Sequence, residues 1–154
     1  MRLSTRGHYG LKAMFDLAQR FGTEPIPLKS VAERQNLSEH YLEQLIAMLR
    51  KAGLVRSVRG AQGGYILARE PAEITVGDVI RALEGPIAPV SCVSEEAPGK
   101  CDEADYCITR TVWARVRDGI ARVLDSISLA DICLEAEKAQ QRTAAARFEP
   151  EAEH

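Results

Sequence analysis

The sequence predicts a mainly α chain with one small β-hairpin: a winged helix-turn-helix followed by a long helix suited to dimerisation. Three observations predict it. Apolar residues recur at helical spacing along most of the 154 residues, the β-rich runs are two short ones flanking a glycine-rich tip, and charge is unevenly divided. Residues 1–70 carry 11 Lys or Arg against 6 Asp or Glu, net +5, whereas residues 71–154 carry 9 against 16, net −7. A basic head on an acidic body points the head toward a polyanion.

Each element has a local justification. Leu11, Met14, Phe15 and Ala18 give a first helix over Tyr9 to Phe21, with Gly22 placed to end it. Glu24-Pro25-Ile26-Pro27 reads as a connector. A short helix from Leu28 turns Leu28, Val31 and Ala32 inward and stops near Asn36, which tolerates the turn. Ser38 reads as the N-cap of a helix reaching about Ala52, with Leu42, Leu45, Ile46 and Leu49 as its buried stripe and Gly53 after it. Leu54 to Val58 and Tyr65 to Leu67 form the wing around Arg59-Gly60-Ala61-Gln62-Gly63-Gly64. Thr75-Val76-Gly77-Asp78 has the form of a capping box, and its helix, apolar at Val76, Val79, Ile80 and Leu83, ends at Gly85-Pro86.

Gly85 to about Asp105 shows little periodicity and reads as a long functional or mobile loop. From Tyr106 a long helix lines up Ile108, Val112, Val116, Ile120, Val123, Leu124 and Ile127 in one narrow seam. A protruding helix of that kind calls for a partner. Ser128-Leu129-Ala130-Asp131 caps a last helix. The expected division is a DNA-binding head at 1–84, a cysteine-bearing sensor loop at 85–105, dimerisation and C-terminal helices at 106–146, and a flexible tail at 147–154.

Composition excludes several classes. Hydrophobic residues at 45% and charged residues at 27% are ordinary for a globular chain. No apolar run approaches the roughly 18 residues of a membrane span, and MRLSTRGHYG offers no signal peptide, so a cytoplasmic location without membrane contact is expected. No G-x-S-x-G, P-loop or dinucleotide fingerprint is present, and Gly60 to Gly64 does not open a helix, which argues against an enzyme.

The chemistry of the head lies off the buried stripe. On the helix opened by Ser38, the outward residues include His40, Tyr41, Glu43, Gln44, Arg50 and Lys51. Gln44 suits an adenine edge, Glu43 can accept from a cytosine amino group while opposing phosphate-only docking, and Arg50 and Lys51 suit phosphates. Arg59 beside Gly60 at the wing tip suits a narrow minor groove, and Arg2, Arg6 and Lys12 add charge.

Cys92, Cys101 and Cys107 follow the spacing C-x8-C-x5-C. In a reducing compartment such thiols favour metal or redox chemistry over disulfides, and three thiolates are one short of a tetrahedral set. An iron-sulfur cluster, a zinc ion and a bare thiol switch all remain open. Cys133 shares a helix face with Leu129, Ile132 and Ala136 and reads as core.

The segments MRLSTRGHYGLKAM, LSEHYLEQLIAMLRKAGLVRSVRGAQGGYILARE and ITVGDVIRALEG resemble the IscR-type and CymR-type winged-helix transcriptional regulators, over about residues 1–135. The resemblance implies a homodimer on a palindromic operator in double-stranded DNA, with Ser38, His40, Tyr41, Glu43, Gln44, Arg50 and Arg59 at the DNA; the charge of Arg2 and the place of Gly60 at the wing tip add these two to the candidates. It also implies that Cys92, Cys101 and Cys107 hold an iron-sulfur cluster, 2Fe-2S in preference to 4Fe-4S. Where the IscR-type pattern has a histidine three residues after the last cysteine, this chain has Arg110, which cannot ligate. His8, at a place where relatives use a carboxylate of the partner subunit, becomes the fourth-ligand candidate. The expected function is a regulator sensing cluster status or redox state and controlling iron-sulfur or sulfur and cysteine metabolism genes. The alternatives are a cysteine-metabolism repressor governed by a cysteine-biosynthesis enzyme partner or by thiol oxidation, and a zinc-stabilised protein-interaction module.

Overall fold

The computed structural model describes residues 3–96 and 99–147; Arg2 and all of the expected tail but its first residue, Arg147, lie outside them. Among the described residues the order is α1 (Thr5–Gln19), α2 (Leu28–Gln35), α3 (Glu39–Lys51), β1 (Val55–Val58), β2 (Gly64–Leu67), α4 (Val76–Glu84), α5 (Ile108–Asp125) and α6 (Leu129–Arg147). The two strands pair antiparallel with Val55 opposite Leu67 and Val58 opposite Gly64, closing the predicted wing.

The core is assembled from the apolar stripes of the head. Met14 and Leu17 of α1, Val31 of α2, Leu42, Leu45, Ile46 and Leu49 of α3, Val55 and Leu67 of the hairpin, Val79 and Leu83 of α4 and Leu129 of α6 are all buried together. Helices α1 and α4 meet closely at Gly10, where a Cβ would fall 2.0 Å from Leu83 Cδ1, so α4 lies directly on α1. Asn36 adopts the left-handed conformation, φ 53°, that ends α2, and Gly53 follows α3 at φ 76°. Both capping boxes form. Asp78 N–H donates to Thr75 Oγ1 and Thr75 N–H to the Asp78 carboxylate, each at 3.0 Å, while Ser128 and Asp131 exchange the same pair of bonds at the start of α6.

Three boundaries differ from the sequence expectation. The first helix begins at Thr5 and stops at Gln19, rather than running from Tyr9 to Phe21. Its start is capped from a distance: the Glu84 carboxylate of α4 accepts from the Ser4 and Gly7 N–H groups, at 3.1 and 3.0 Å, and from the Ser4 hydroxyl. The connector is a third short β element, since Ile26 and Tyr65 exchange backbone bonds of 3.0 and 2.8 Å along the outer edge of β2. The long helix begins at Ile108; Tyr106 precedes it and Cys107 is its N-cap residue.

No residue of α5 is buried. Ile108 is 85% exposed and Val112 52%, and Val116 and Val123 from the same seam are exposed too. An apolar stripe of this length left open on one chain costs solvation free energy that a partner surface would recover. None of the described helices is long and apolar enough to cross a membrane.

Candidate nucleic-acid interface and cysteine loop

The polar face of α3 is presented as its stripe dictates. With Leu42, Leu45, Ile46 and Leu49 held inward, His40, Glu43, Gln44 and Arg50 stand in solvent. Ser38 Oγ accepts the Tyr41 N–H at 3.4 Å, which satisfies one free donor of the helix start. Glu43 Oε2 lies 3.9 Å from His40 Nδ1 and the His40 and Gln44 side-chain nitrogens 3.5 Å apart, so these three groups form one exposed cluster.

Tyr41 is less free than the sequence suggests. Its ring meets Tyr9 edge-on at 6.1 Å and its hydroxyl lies 3.1 Å from Thr5 Oγ1, which seats the start of α3 against the start of α1. Thr5 and Tyr9 were not singled out in the sequence. The signal that would have found them is the early helix start, which brings the first turn of α1 beside the reading helix.

At the wing, Arg59 is exposed and Gly60, at φ 120°, faces open space. The neighbouring glycines are required by the hairpin itself. A Cβ on Gly63 would lie 2.2 Å from the Val58 carbonyl oxygen, and one on Gly64 2.4 Å from that of Ile26. They let the hairpin close on itself and on the Ile26 bridge, so of these glycines Gly60 alone is open at the tip.

The described first part of the cysteine loop is held in place. Cys92 sits half-buried on a 3-10 turn, Ser91–Val93, and Val93 is buried beneath it. Cys101 is exposed, and Cys107 is half-buried at the mouth of α5. The Thr109 hydroxyl, 3.2 Å from Cys107 Sγ, and the Arg110 backbone N–H hold the Cys107 thiol below the usual thiol range. Burial pushes the Cys133 thiol the other way, and Cys133 packs against the core, as its helix face predicts. Arg110 Nε is buried with no hydrogen-bond partner among the described residues; the arginine lines a cavity of about 390 Å³ together with Cys107, Asp105, Thr111 and Arg117.

His8 is exposed on α1, its ring 5.2 Å from that of Tyr9. Among the described residues, no group of three or more His, Cys, Asp or Glu side chains converges as a metal site, so one chain does not bring His8 and the three loop thiols together. The donors are of the type that soft metals and iron-sulfur clusters take, but a single subunit supplies an incomplete set.

Comparison with known proteins agrees with this architecture. The family described as Rrf2, iron-dependent transcriptional regulator, matches residues 3–135. The HTH-type transcriptional regulator CymR of Bacillus subtilis is 52% identical over 132 residues, covering 86% of this chain and 89% of the relative. Its solved structure, named the global cysteine regulator of B. subtilis, superposes with a TM-score of 0.72 at 50% identity over 88% of this chain and 98% of that one. The structure of T. potens IscR gives a TM-score of 0.74 at 58% identity, with 91% of each chain covered. With a reading helix, a wing and a match of this length, the chain belongs to the Rrf2 family, as a DNA-binding transcriptional regulator of the CymR and IscR type and not an enzyme.

Proposed function

We propose that this regulator is a cytoplasmic homodimer that reads a palindromic operator and represses or releases its target genes according to the state of its three-cysteine loop. Residues 1–84 read the DNA, 85–105 sense, and 106–146 join the two subunits. The observation that carries the reading is a combination on one chain: an exposed polar face on α3, an exposed wing arginine, and three thiols leading into a helix whose apolar seam is open. Gln44 and Glu43 supply base discrimination, Ser38, His40, Tyr41 and Arg50 line the same approach, and Arg59, Gly60 and Arg2 address the backbone or minor groove.

In this reading Cys92, Cys101 and Cys107 would hold an iron-sulfur cluster, 2Fe-2S in preference to 4Fe-4S, with the fourth donor from the partner subunit's His8. Such a cluster supplies reversible one-electron redox chemistry and sensitivity to oxidants. The relatives named IscR, and the iron dependence in the family's description, support it. The genes under control would then be those of iron-sulfur or sulfur and cysteine metabolism. Anaerobic purification tests the assignment: visible absorption bands with iron and acid-labile sulfide in proportion are expected. A colourless protein that takes up no iron on reconstitution refutes it.

A second reading is favoured by one specific observation, the lowered Cys107 thiol, together with the relative named a cysteine regulator. Here the loop works without a cluster, through thiol oxidation or a cysteine-biosynthesis enzyme bound to the dimer. Operator binding that responds to a thiol oxidant, or that requires the second protein, in iron-free material distinguishes it.

A further inference from the structure

One side chain of α4 links the described part of the cysteine loop and the end of α5 to the head. Arg81, on the last turns of α4, donates from Nε and Nη2 to the two oxygens of Glu95, at 2.9 and 2.8 Å, and from Nη1 and Nη2 to the two oxygens of Asp125, at 2.6 and 3.0 Å. Glu95 lies three residues beyond Cys92, and Asp125 is the last residue of α5. A single guanidinium therefore binds two carboxylates from two different segments, each in a forked, charge-assisted pair.

The surroundings are built for this joint. Glu95 also accepts the Ile87 N–H at 2.9 Å, so its carboxylate is fixed from the near end of the loop as well. A Cβ on Gly77, one turn before Arg81, would fall 1.9 Å from Asp125 Oδ1, so α5 can approach α4 this closely only because residue 77 is glycine. From the other side, Arg117 of α5 donates to the Val93 carbonyl at 3.0 Å, next in sequence to Cys92. The far face of α4 rests on α1 through Leu83 and Gly10, and α1 in turn carries Thr5 and Tyr9 against Tyr41 of α3.

We infer that Arg81 is a positioning residue for the cysteine loop: it fastens Glu95 of the loop and Asp125 of α5 to α4, so that displacement at Cys92 reaches the reading head through this joint. The inference rests on the proposed sensing role of the loop. It assigns the coupling to three named residues, none of which is among the DNA-facing candidates or carries a thiol. Loss of the loop arm frees Cys92 while leaving the Arg81–Asp125 arm, and with it the seating of α5, in place.

The test uses the full-length dimer carrying Glu95→Gln, with Asp125→Asn as the second variant and Cys133 as internal reference. Alkylation of Cys92 by iodoacetamide is followed in metal-free protein by mass spectrometry. Operator affinity is then compared between free-thiol and alkylated protein, and between iron-loaded and iron-free protein where iron is taken up. Losing a forked charged pair is expected to raise the Cys92 rate about tenfold in Glu95→Gln with the Cys133 rate unchanged. The affinity ratio between loop states should shrink toward one in both variants. An unchanged Cys92 rate, or a faster rate with the affinity ratio intact, overturns the inference. Failure of the protein to take up iron counts against the cluster alone, because the alkylation comparison needs no metal.

Discussion

Asp16 is the charged side chain buried among the described residues, at 1% exposure, and replacing it by alanine is the sharpest test of how the head is held together. Its Oδ1 accepts from Arg34 Nη2 at 2.8 Å, and its Oδ2 from Arg34 Nε at 2.9 Å and Gln35 Nε2 at 3.1 Å; Arg20 Nη1 lies 3.4 Å away. The carboxylate thus pins α2 to α1 and, through the short turn at Asn36, sets the entry of α3. Breaking a buried ion pair by removing one partner costs about 3–5 kcal/mol when the orphaned charge stays buried. Here the arginines keep about a third of their side-chain area in water, 34% and 32%, and rehydrate. The expected loss for Asp16→Ala is therefore about 2–3 kcal/mol, with Asp16→Asn losing roughly half as much because the amide keeps one acceptor. For a chain of this size that is a drop of roughly 4–12 °C in Tm. Urea and thermal unfolding at matched protein concentration measure it, since assembly makes Tm depend on concentration. A loss below about 1 kcal/mol with an unchanged urea slope would show that apolar packing alone fixes α2, and the reasoning from the clamp would fail.

Other substitutions separate the proposed roles. Gln44→Ala should cost about 1–3 kcal/mol on the preferred operator and relax selectivity at one base pair, whereas Arg59→Ala should weaken all duplexes alike and reduce the salt slope of binding by about one; equal effects on every sequence from both would refute the division. Gly64→Ala forces a Cβ to within 2.4 Å of the Ile26 carbonyl oxygen, so a stability loss of about 1–3 kcal/mol and a detached wing are expected, read by calorimetry and by loss of the Arg59 effect on affinity. Arg81 holds the Glu95 carboxyl below the usual range, so the stability it confers is present above about pH 4.3 and disappears as acid protonates Glu95 through its lowered folded value. Glu95→Gln should flatten that part of the acid-unfolding curve, and an unchanged slope between pH 5 and 3 contradicts the assignment.

What could be read in the sequence is what neighbours along the chain decide. Asn36, Ser38, Gly53 and the Thr75–Asp78 and Ser128–Asp131 boxes announce helix ends locally, and each is found where it was read. The stripe of α3 and the seam of α5 follow from periodicity in the same way. What was missed depends on partners far apart in sequence. Glu84 caps α1 from some 80 residues away, Tyr65 recruits Ile26, and Arg81 gathers Glu95 and Asp125. Glu84 and Leu83 press against Gly7 and Gly10, a demand for glycine inside α1 that only the fold creates. The thiols could be read as a group by spacing, but the state of each could not: Cys107 owes its lowered thiol to Thr109 and Arg110, and Cys133 its raised one to burial.

The distant cap on α1 has a consequence for synthesis of the protein. Ser4 and Gly7 find their acceptor only once residue 84 has left the ribosome, and the groove over Gly10 stays empty until Leu83 arrives. At about 5–20 residues per second the end of the wing is made roughly 1–3 seconds, and the end of α3 roughly 2–7 seconds, before the end of the helix that completes the head. A chain interrupted between β2 and α4 therefore carries α3 and the wing yet lacks the piece that seats its first helix. Truncated products of this gene should be cleared by proteolysis instead of competing with intact protein for the operator.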